Sequence, residues 1–314
     1  MPWYYILLIV LGSLIALILL TSYISFYITF YIRKKDKKSY KNDEIILPPG
    51  DDYLQHKDIL TKWMKEAREI PYQSVNIKSF DTLNLCGKFY DCGGDILEIM
   101  FHGYRGNSER DLCGGIRRAF ALNHNVLLVD QRASMLSDGH VTTFGINERH
   151  DCLSWINFAV NTFGDKYKII LTGVSMGAAT VIMASEFDLP KQVIGILADC
   201  SYTSPKEVIK KVIKQIKLPP SIFYPFVYLG ARIFGRFNLE EASPIEAIKN
   251  AKVPIIIFHG TDDKIVPSYM AEELYNANPK NNKLIMIEGA GHCLGYVIKP
   301  EYYLNCMKEF FHNE

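Results

Sequence analysis

Hydrophobic and polar positions follow successive patterns along this chain. Residues 3–32 carry no charge and are mostly aliphatic or aromatic. A helix of about 20 apolar residues spans a bilayer, so this run predicts a transmembrane helix, which Gly12 and Ser13 do not break. Tyr4, Tyr5, Tyr23, Tyr27 and Tyr31 lie near its ends, where aromatic rings favour the lipid–water boundary. Residues 51–70 then place Tyr53, Leu54, Ile59, Leu60, Trp63 and Met64 at roughly helical spacing, with Pro71 just beyond. An amphipathic helix is expected there.

From residue 75 the period changes. Short apolar runs occupy 75–80 and 83–90, which predict a hairpin, then 96–101, 126–130, 169–172, 193–198, 255–258 and 284–287. The later runs are near-continuous Ile, Leu and Val, as in parallel strands buried on both faces. Helical stretches alternate with them, which predicts a three-layer α/β fold with a mostly parallel sheet. One long interval, 199–254, breaks this rhythm. It holds 206–217, with Val208, Ile209, Val212, Ile213 and Ile216 on one face and five lysines elsewhere, and then "LPPSIFYPFVYLGARIFGRF". A small helical lid is expected at about 203–245, with apolar and aromatic residues on one side and a lysine face suiting anionic lipid.

Charge refines the picture at one place. The chain is +1 overall, yet 33–41 holds six basic residues and one acidic one, leaving the remainder net acidic. Such a remainder has no electrostatic footprint for nucleic acid. Arg33, Lys34, Lys35, Lys37, Lys38 and Lys41 all follow the apolar run and no Lys or Arg precedes it. The positive-inside rule then places the C-terminal part in the cytoplasm, on a single-pass anchor in the cell membrane. The apolar run lacks a basic start and a small-residue cleavage site, so an uncleaved anchor is expected rather than a signal peptide. The expected organisation is 1–32 anchor, 33–50 basic linker and 51–314 globular domain. Seven cysteines, scattered and without a C-x-x-C pair, fit free thiols in a reducing compartment. No cluster has metal-ligand spacing, and no glycine-rich nucleotide motif is present.

Candidate chemistry follows the strands, because ligands of open α/β sheets bind at the strands' carboxyl ends. After 169–172 comes Gly173-Val174-Ser175-Met176-Gly177, then a helical stretch. Three fixed residues are a weak pattern alone, and a serine here could simply cap the helix. The strand–turn–helix context is what a nucleophile elbow requires. After 255–258 comes "HGTDDKIVP", where Asp262 and Asp263 both qualify by position as an acid. After 284–287 comes "EGAGHCLGY", with His292 in a glycine-flanked loop. Of the eight histidines only His292 has the position and order of a general base; His259 precedes a tight turn and is expected to serve structure. After 96–101 comes "HGYRGN", where the Tyr104 N–H, with that of Met176, would form an oxyanion hole.

These residues resemble the serine α/β-hydrolase superfamily, near bacterial membrane-anchored esterases of the cinnamoyl-esterase and acyl-peptidase-like groups. The likeness runs from about Val75 to the C-terminus and rests on "HGYRGN", "DQRASMLSDG", "GVSMG", "DCSYTSP", "ASPIEAIKNAKVPIIIFHGTDDKIVP" and "GAGH". It implies an α/β-hydrolase fold, Ser175 as nucleophile, His292 as base and Asp263 as acid. Asp262 is the weaker candidate, and in some relatives the acid follows an earlier strand, where Asp199 stands. The implied reaction is hydrolysis of an ester, thioester or amide of a small-molecule or lipid-like acyl substrate, with no cofactor and no metal. A peptidase of the same fold is the alternative. The chain departs from its relatives at Ala133 and Met135, where they often carry glycine. Activity is expected to fall at acid pH, with a midpoint near or below the ordinary histidine value of about 6.5.

Overall fold

The structure, a computed structural model, describes residues 2–33, 45–48 and 50–312. The basic segment at 34–41 lies outside them. Eight strands form one sheet in the order β1-β2-β4-β3-β5-β6-β7-β8. They are β1 Gln73–Lys78, β2 Asn84–Tyr90, β3 Ile96–Phe101, β4 Asn125–Val129, β5 Lys168–Val174, β6 Val193–Asp199, β7 Ile255–Gly260 and β8 Asn282–Ile287. The expected hairpin is present: β1 pairs antiparallel with β2, and β2 pairs antiparallel with β4. From β4 across to β8 every pairing is parallel. Strands β3, β4 and β7 are buried at every position, which is why their sequences show no alternation.

Helices cover both faces. They are α1 Trp3–Thr29, α2 Asp51–Gln55, α3 Lys57–Glu69, α4 Ser108–Ala121, α5 Glu148–Phe163, α6 Met176–Ala184, α7 Pro205–Gln215, α8 Pro220–Gly230, α9 Pro244–Ala247, α10 Tyr269–Ala277, α11 Gly295–Ile298 and α12 Pro300–Phe311. The single helix expected over 51–70 is two, interrupted at His56. The long interval folds as α7, α8, a π turn, Ala231–Gly235, the short α9 and a 3-10 turn, Ile248–Asn250. Helix α7 leans on the loop after β7: Lys211 Nζ donates to the carbonyls of Lys264 at 2.6 Å and Ile265 at 2.5 Å. Lys206 pairs with Glu240 at 3.0 Å and Lys210 with Glu207 at 3.4 Å. Part of the lysine face is therefore engaged within the protein.

Helix α1 is long and apolar enough to cross a membrane. Its surface is exposed over most of its length, but Ser22, Phe26 and Phe30 are buried at i, i+4 spacing. Phe30 meets Phe144 at 5.8 Å and Phe237 at 5.1 Å between ring centroids. A Cβ on Gly230 would lie 2.4 Å from the Ser22 carbonyl oxygen, so only glycine lets α8 approach α1 this closely. Past the helix, Thr142 N–H donates to Phe30 O at 3.0 Å and Ile32 N–H to His140 O at 2.7 Å. The end of α1 is thus built into the domain core.

The last turn of a helix leaves carbonyls without partners, and two neighbouring residues satisfy them here. Tyr104 Oη donates to Thr29 O at 2.6 Å. Arg105 Nη2 donates to Ile28 O at 2.6 Å and Tyr31 O at 3.1 Å, and its charge also suits the negative end of the helix dipole. Tyr104→Phe keeps the ring but orphans the Thr29 carbonyl. The expected loss is about 1 kcal/mol, read as a melting temperature lower by about 2–4 °C.

Candidate active site

The turn after β5 is a tightly constrained stretch of backbone. Ser175 has φ 54° and ψ −117°, a conformation that L-residues rarely adopt and that is held only where the surroundings over-determine it. Both flanking glycines are required by close approach. A Cβ on Gly173 would lie 2.2 Å from Gly177 backbone atoms, and one on Gly177 would lie 2.1 Å from Phe101 O. Strand, turn and helix α6 therefore fit only with glycine two residues to either side of the serine. Ser175 N–H donates to Asp199 O at 2.8 Å, which ties the turn to β6.

The two other residues expected at the site come together from loops after β7 and β8. His292 Nδ1 donates to Asp263 Oδ2 at 2.6 Å. The second carboxylate oxygen, Oδ1, accepts from Ile265 N and Val266 N at 2.8 Å each. Asp263 is buried, whereas Asp262 is exposed and bonds Thr261. Asp199, the other alternative, accepts instead from Tyr303 Oη at 3.0 Å. Of the three acids, only Asp263 holds the imidazole. His259 is buried and donates to Val266 O at 2.9 Å, in keeping with a structural part.

Electrostatics follow from this pairing. Burial raises the Asp263 carboxyl, but its bonds to His259 and His292 outweigh that and hold it well below the usual carboxylate range. Burial likewise disfavours the His292 cation, but the bond to the Asp263 carboxylate outweighs it and holds the imidazole above its ordinary value. The midpoint near or below 6.5 expected from the sequence is therefore corrected upward. A carboxylate against the imidazole outweighs the loss of water.

Ser175 and His292 open on one cavity of about 280 Å³, which Gly103 and Tyr104 also line. Gly103 N–H donates to Asp111 Oδ2 at 3.0 Å, fixing the loop after β3. The next amide, Tyr104 N–H, and the Met176 N–H at the start of α6 have no hydrogen-bond acceptor among the described residues. The far wall of the cavity is apolar: Leu60, Trp63 and Met64 of α3, with Leu294, Tyr296 and Val297. Among the described residues lining it, none comes from 203–245. The apolar side of this cavity is thus built by the N-terminal amphipathic helix and not by the segment expected to form a lid.

Other residues here had no signature along the chain. Tyr53 Oη donates to His292 O at 2.9 Å. Cys200 and Cys293, distant in sequence, lie with His292 so that their sulfurs and a ring nitrogen fall within 4.8 Å of one another. Burial holds the Cys200 thiol well above its ordinary value. Its contact with Cys200 lowers the Cys293 thiol, but burial and the Asp199 and Asp263 carboxylates push it up to about 11. Both are therefore neutral near pH 7 and poor nucleophiles. Ala133 and Met135 keep positive φ, 63° and 42°, so the loop retains the geometry that glycine would adopt without strain.

No protein-family model matches the chain. An uncharacterised protein of Bacillus subtilis (strain 168), YqkD, is 24% identical over 193 residues, covering 61% of this chain and 63% of that protein. The chain therefore spans less than two thirds of that relative's length. Among solved structures, the Pyrococcus furiosus esterase Pf2001 superposes with a TM-score of 0.64 at 24% identity, over 86% of this chain and 98% of that one. The esterase EaEST of Exiguobacterium antarcticum gives 0.58 at 16% identity, over 77% and 100%. The α/β hydrolase GrgF of a Penicillium species gives 0.58 at 16% identity, over 77% and 98%. The chain has the α/β-hydrolase fold.

Proposed function

We propose that this chain is a serine hydrolase of carboxylic esters, thioesters included, held at a membrane by α1. The observation that carries the reading is the hydrogen bond from His292 to Asp263, made where His292 and the strained Ser175 share one cavity. His292 Nε2 takes the proton of Ser175 as its oxygen attacks the carbonyl carbon. Asp263 fixes the tautomer and stabilises the imidazolium. The free N–H groups of Tyr104 and Met176 receive the oxyanion, each worth about 3 kcal/mol. His292 then gives its proton to the leaving group, and water repeats the cycle on the acyl-enzyme. The apolar wall of α3 suits an aliphatic acyl chain.

Parallel turnover of p-nitrophenyl acyl esters and aminoacyl-nitroanilides tests the substrate class. Esters are expected to turn over and anilides not. The reverse result would make the chain a peptidase.

The pH profile is a separate check. A protonated imidazole cannot accept the serine proton. An imidazole raised by the Asp263 carboxylate therefore moves the acid limb of kcat/KM above the ordinary value of about 6.5. Activity should still be climbing from pH 7 to pH 8. A plateau already reached at pH 7 would contradict the raised imidazole.

The membrane reading rests on the uncharged length of α1 and the basic residues that follow it. It places the catalytic domain in the cytoplasm. A C-terminal reporter active only outside the cell would overturn that orientation.

A further inference from the structure

The exposed apolar surface that adjoins α1 belongs to α8. Residues 218–231 carry no charge and lie between Lys217 and Arg232. About 14 uncharged residues are too few to span a bilayer but suit a core or interfacial element. Here only part of the run is core. Tyr224, Val227 and Gly230 are buried, while Ile222 is 57% exposed and Leu218, just before the helix, is exposed too.

Helix α8 and the turn after it run beside α1 in the same sense. Phe237 faces Phe30 at 5.1 Å, Phe234 faces Phe26 at 6.1 Å, and the Gly230 position abuts the Ser22 backbone. Both residue numbers fall together along the contact. The start of α8 therefore points toward the exposed apolar part of α1. On α1 the covered stripe thins out at Ile18, which is half-buried, and the residues before it are exposed. Residues 3–20 rise about 27 Å, close to the roughly 30 Å of bilayer hydrocarbon. The boundary of the hydrocarbon then falls near Ser22 and Tyr23, the level of Gly230. Ile222 lies two turns further along α8, on the membrane side of that level.

We infer that α8 is a second membrane-contacting element, lying at the headgroup–acyl boundary with Leu218 and Ile222 in lipid. The partner is a lipid bilayer. Arg232 and Arg236, exposed just past Gly230 on the domain side of that level, are placed for phosphate headgroups. The domain is thereby seated on the membrane by two elements rather than tethered by one. This rests on the membrane reading of α1 and goes beyond it, since a lone anchor would leave Ile222 in water.

Photo-crosslinking distinguishes the two. The full chain, reconstituted in phosphatidylcholine vesicles, carries p-benzoylphenylalanine at one of three exposed positions: Leu11 of α1, Ile222 of α8, or Tyr72. Tyr72 precedes β1, at the end of the sheet opposite the loops that hold α1. Irradiation and mass spectrometry then count lipid adducts. Adducts at Ile222 should match those at Leu11 and exceed those at Tyr72 by on the order of tenfold, since burying one isoleucine is worth at least that factor in partition. Adducts at Leu11 with Ile222 at the Tyr72 level would overturn the inference and leave the anchor standing. Crosslinks from Ile222 to a second copy of the chain instead of lipid would also overturn it. No adduct at Leu11 would remove the membrane reading itself, and the inference with it.

Discussion

Asp263→Asn is expected to lower kcat by about four orders of magnitude in a protein that still folds. The effect comes from one proton. Asp263 Oδ2 accepts from His292 Nδ1 at 2.6 Å, which leaves Nε2 with a lone pair for the serine proton. An amide NH2 at the same place donates toward Nδ1 instead, so the ring carries its proton on Nε2 and cannot act as base. The same exchange in a well-studied serine protease triad costs about 10⁴ in kcat. The fold should survive, because an asparagine oxygen can still accept from Ile265 N and Val266 N as Oδ1 does. Steady-state kinetics beside a thermal melt reads both parts. A drop below tenfold with an unchanged melt would mean that His292 does not depend on Asp263. Asp262→Asn should change little, since that side chain is exposed.

Gly177→Ala is expected to destabilise the domain by about 4 kcal/mol or more, in the range reserved for severe steric defects. The added Cβ would meet Phe101 O at 2.1 Å, Phe101 C at 2.5 Å and His102 O at 2.7 Å. All three are backbone atoms, so no side chain can swing aside. Either α6 lifts from β3 or the turn at Ser175 opens. For a domain of this size the melting temperature should fall by roughly 8–16 °C. Gly12→Ala is the contrast, since a Cβ there meets nothing within 4 Å. A melt of Gly177→Ala within a degree or two of the parent would show that the turn is not packed this tightly.

The sheet was legible because its strands are buried on both faces and spell continuous Ile, Leu and Val. The observed strand β3 matches its apolar run to the residue, and β5 extends it by one residue at the start and two at the end. Gly173 and Gly177 were legible as a pair, since a serine on a sharp turn needs small neighbours. The choice between Asp262 and Asp263 was not settled by position along the chain. It depends on which carboxylate is buried and meets the Ile265 and Val266 amides, and that is a property of the folded loop. The aromatics of 203–245 are conspicuous in sequence, yet the apolar wall is built by Leu60, Trp63 and Met64 because α3 packs beside α4 and α11, a long-range contact with no local signature. The docking of α1 left one usable trace: Thr21, Ser22, Ser25 and Thr29 share the stripe with Phe26 and Phe30. Small hydroxyl residues on one side of an apolar helix mark a helix–helix contact, and here Ser22 abuts Gly230 of α8.

The most direct test of the catalytic account is labelling by a fluorophosphonate probe on the full chain. The probe reports a serine whose oxygen is activated and whose oxyanion site is formed, independently of any substrate. The wild-type protein is expected to label at Ser175, located by mass spectrometry, and Ser175→Ala is expected not to label while melting within a few degrees of it. Labelling that persists in a folded Ser175→Ala protein, or a folded wild-type protein that never labels, would contradict the account.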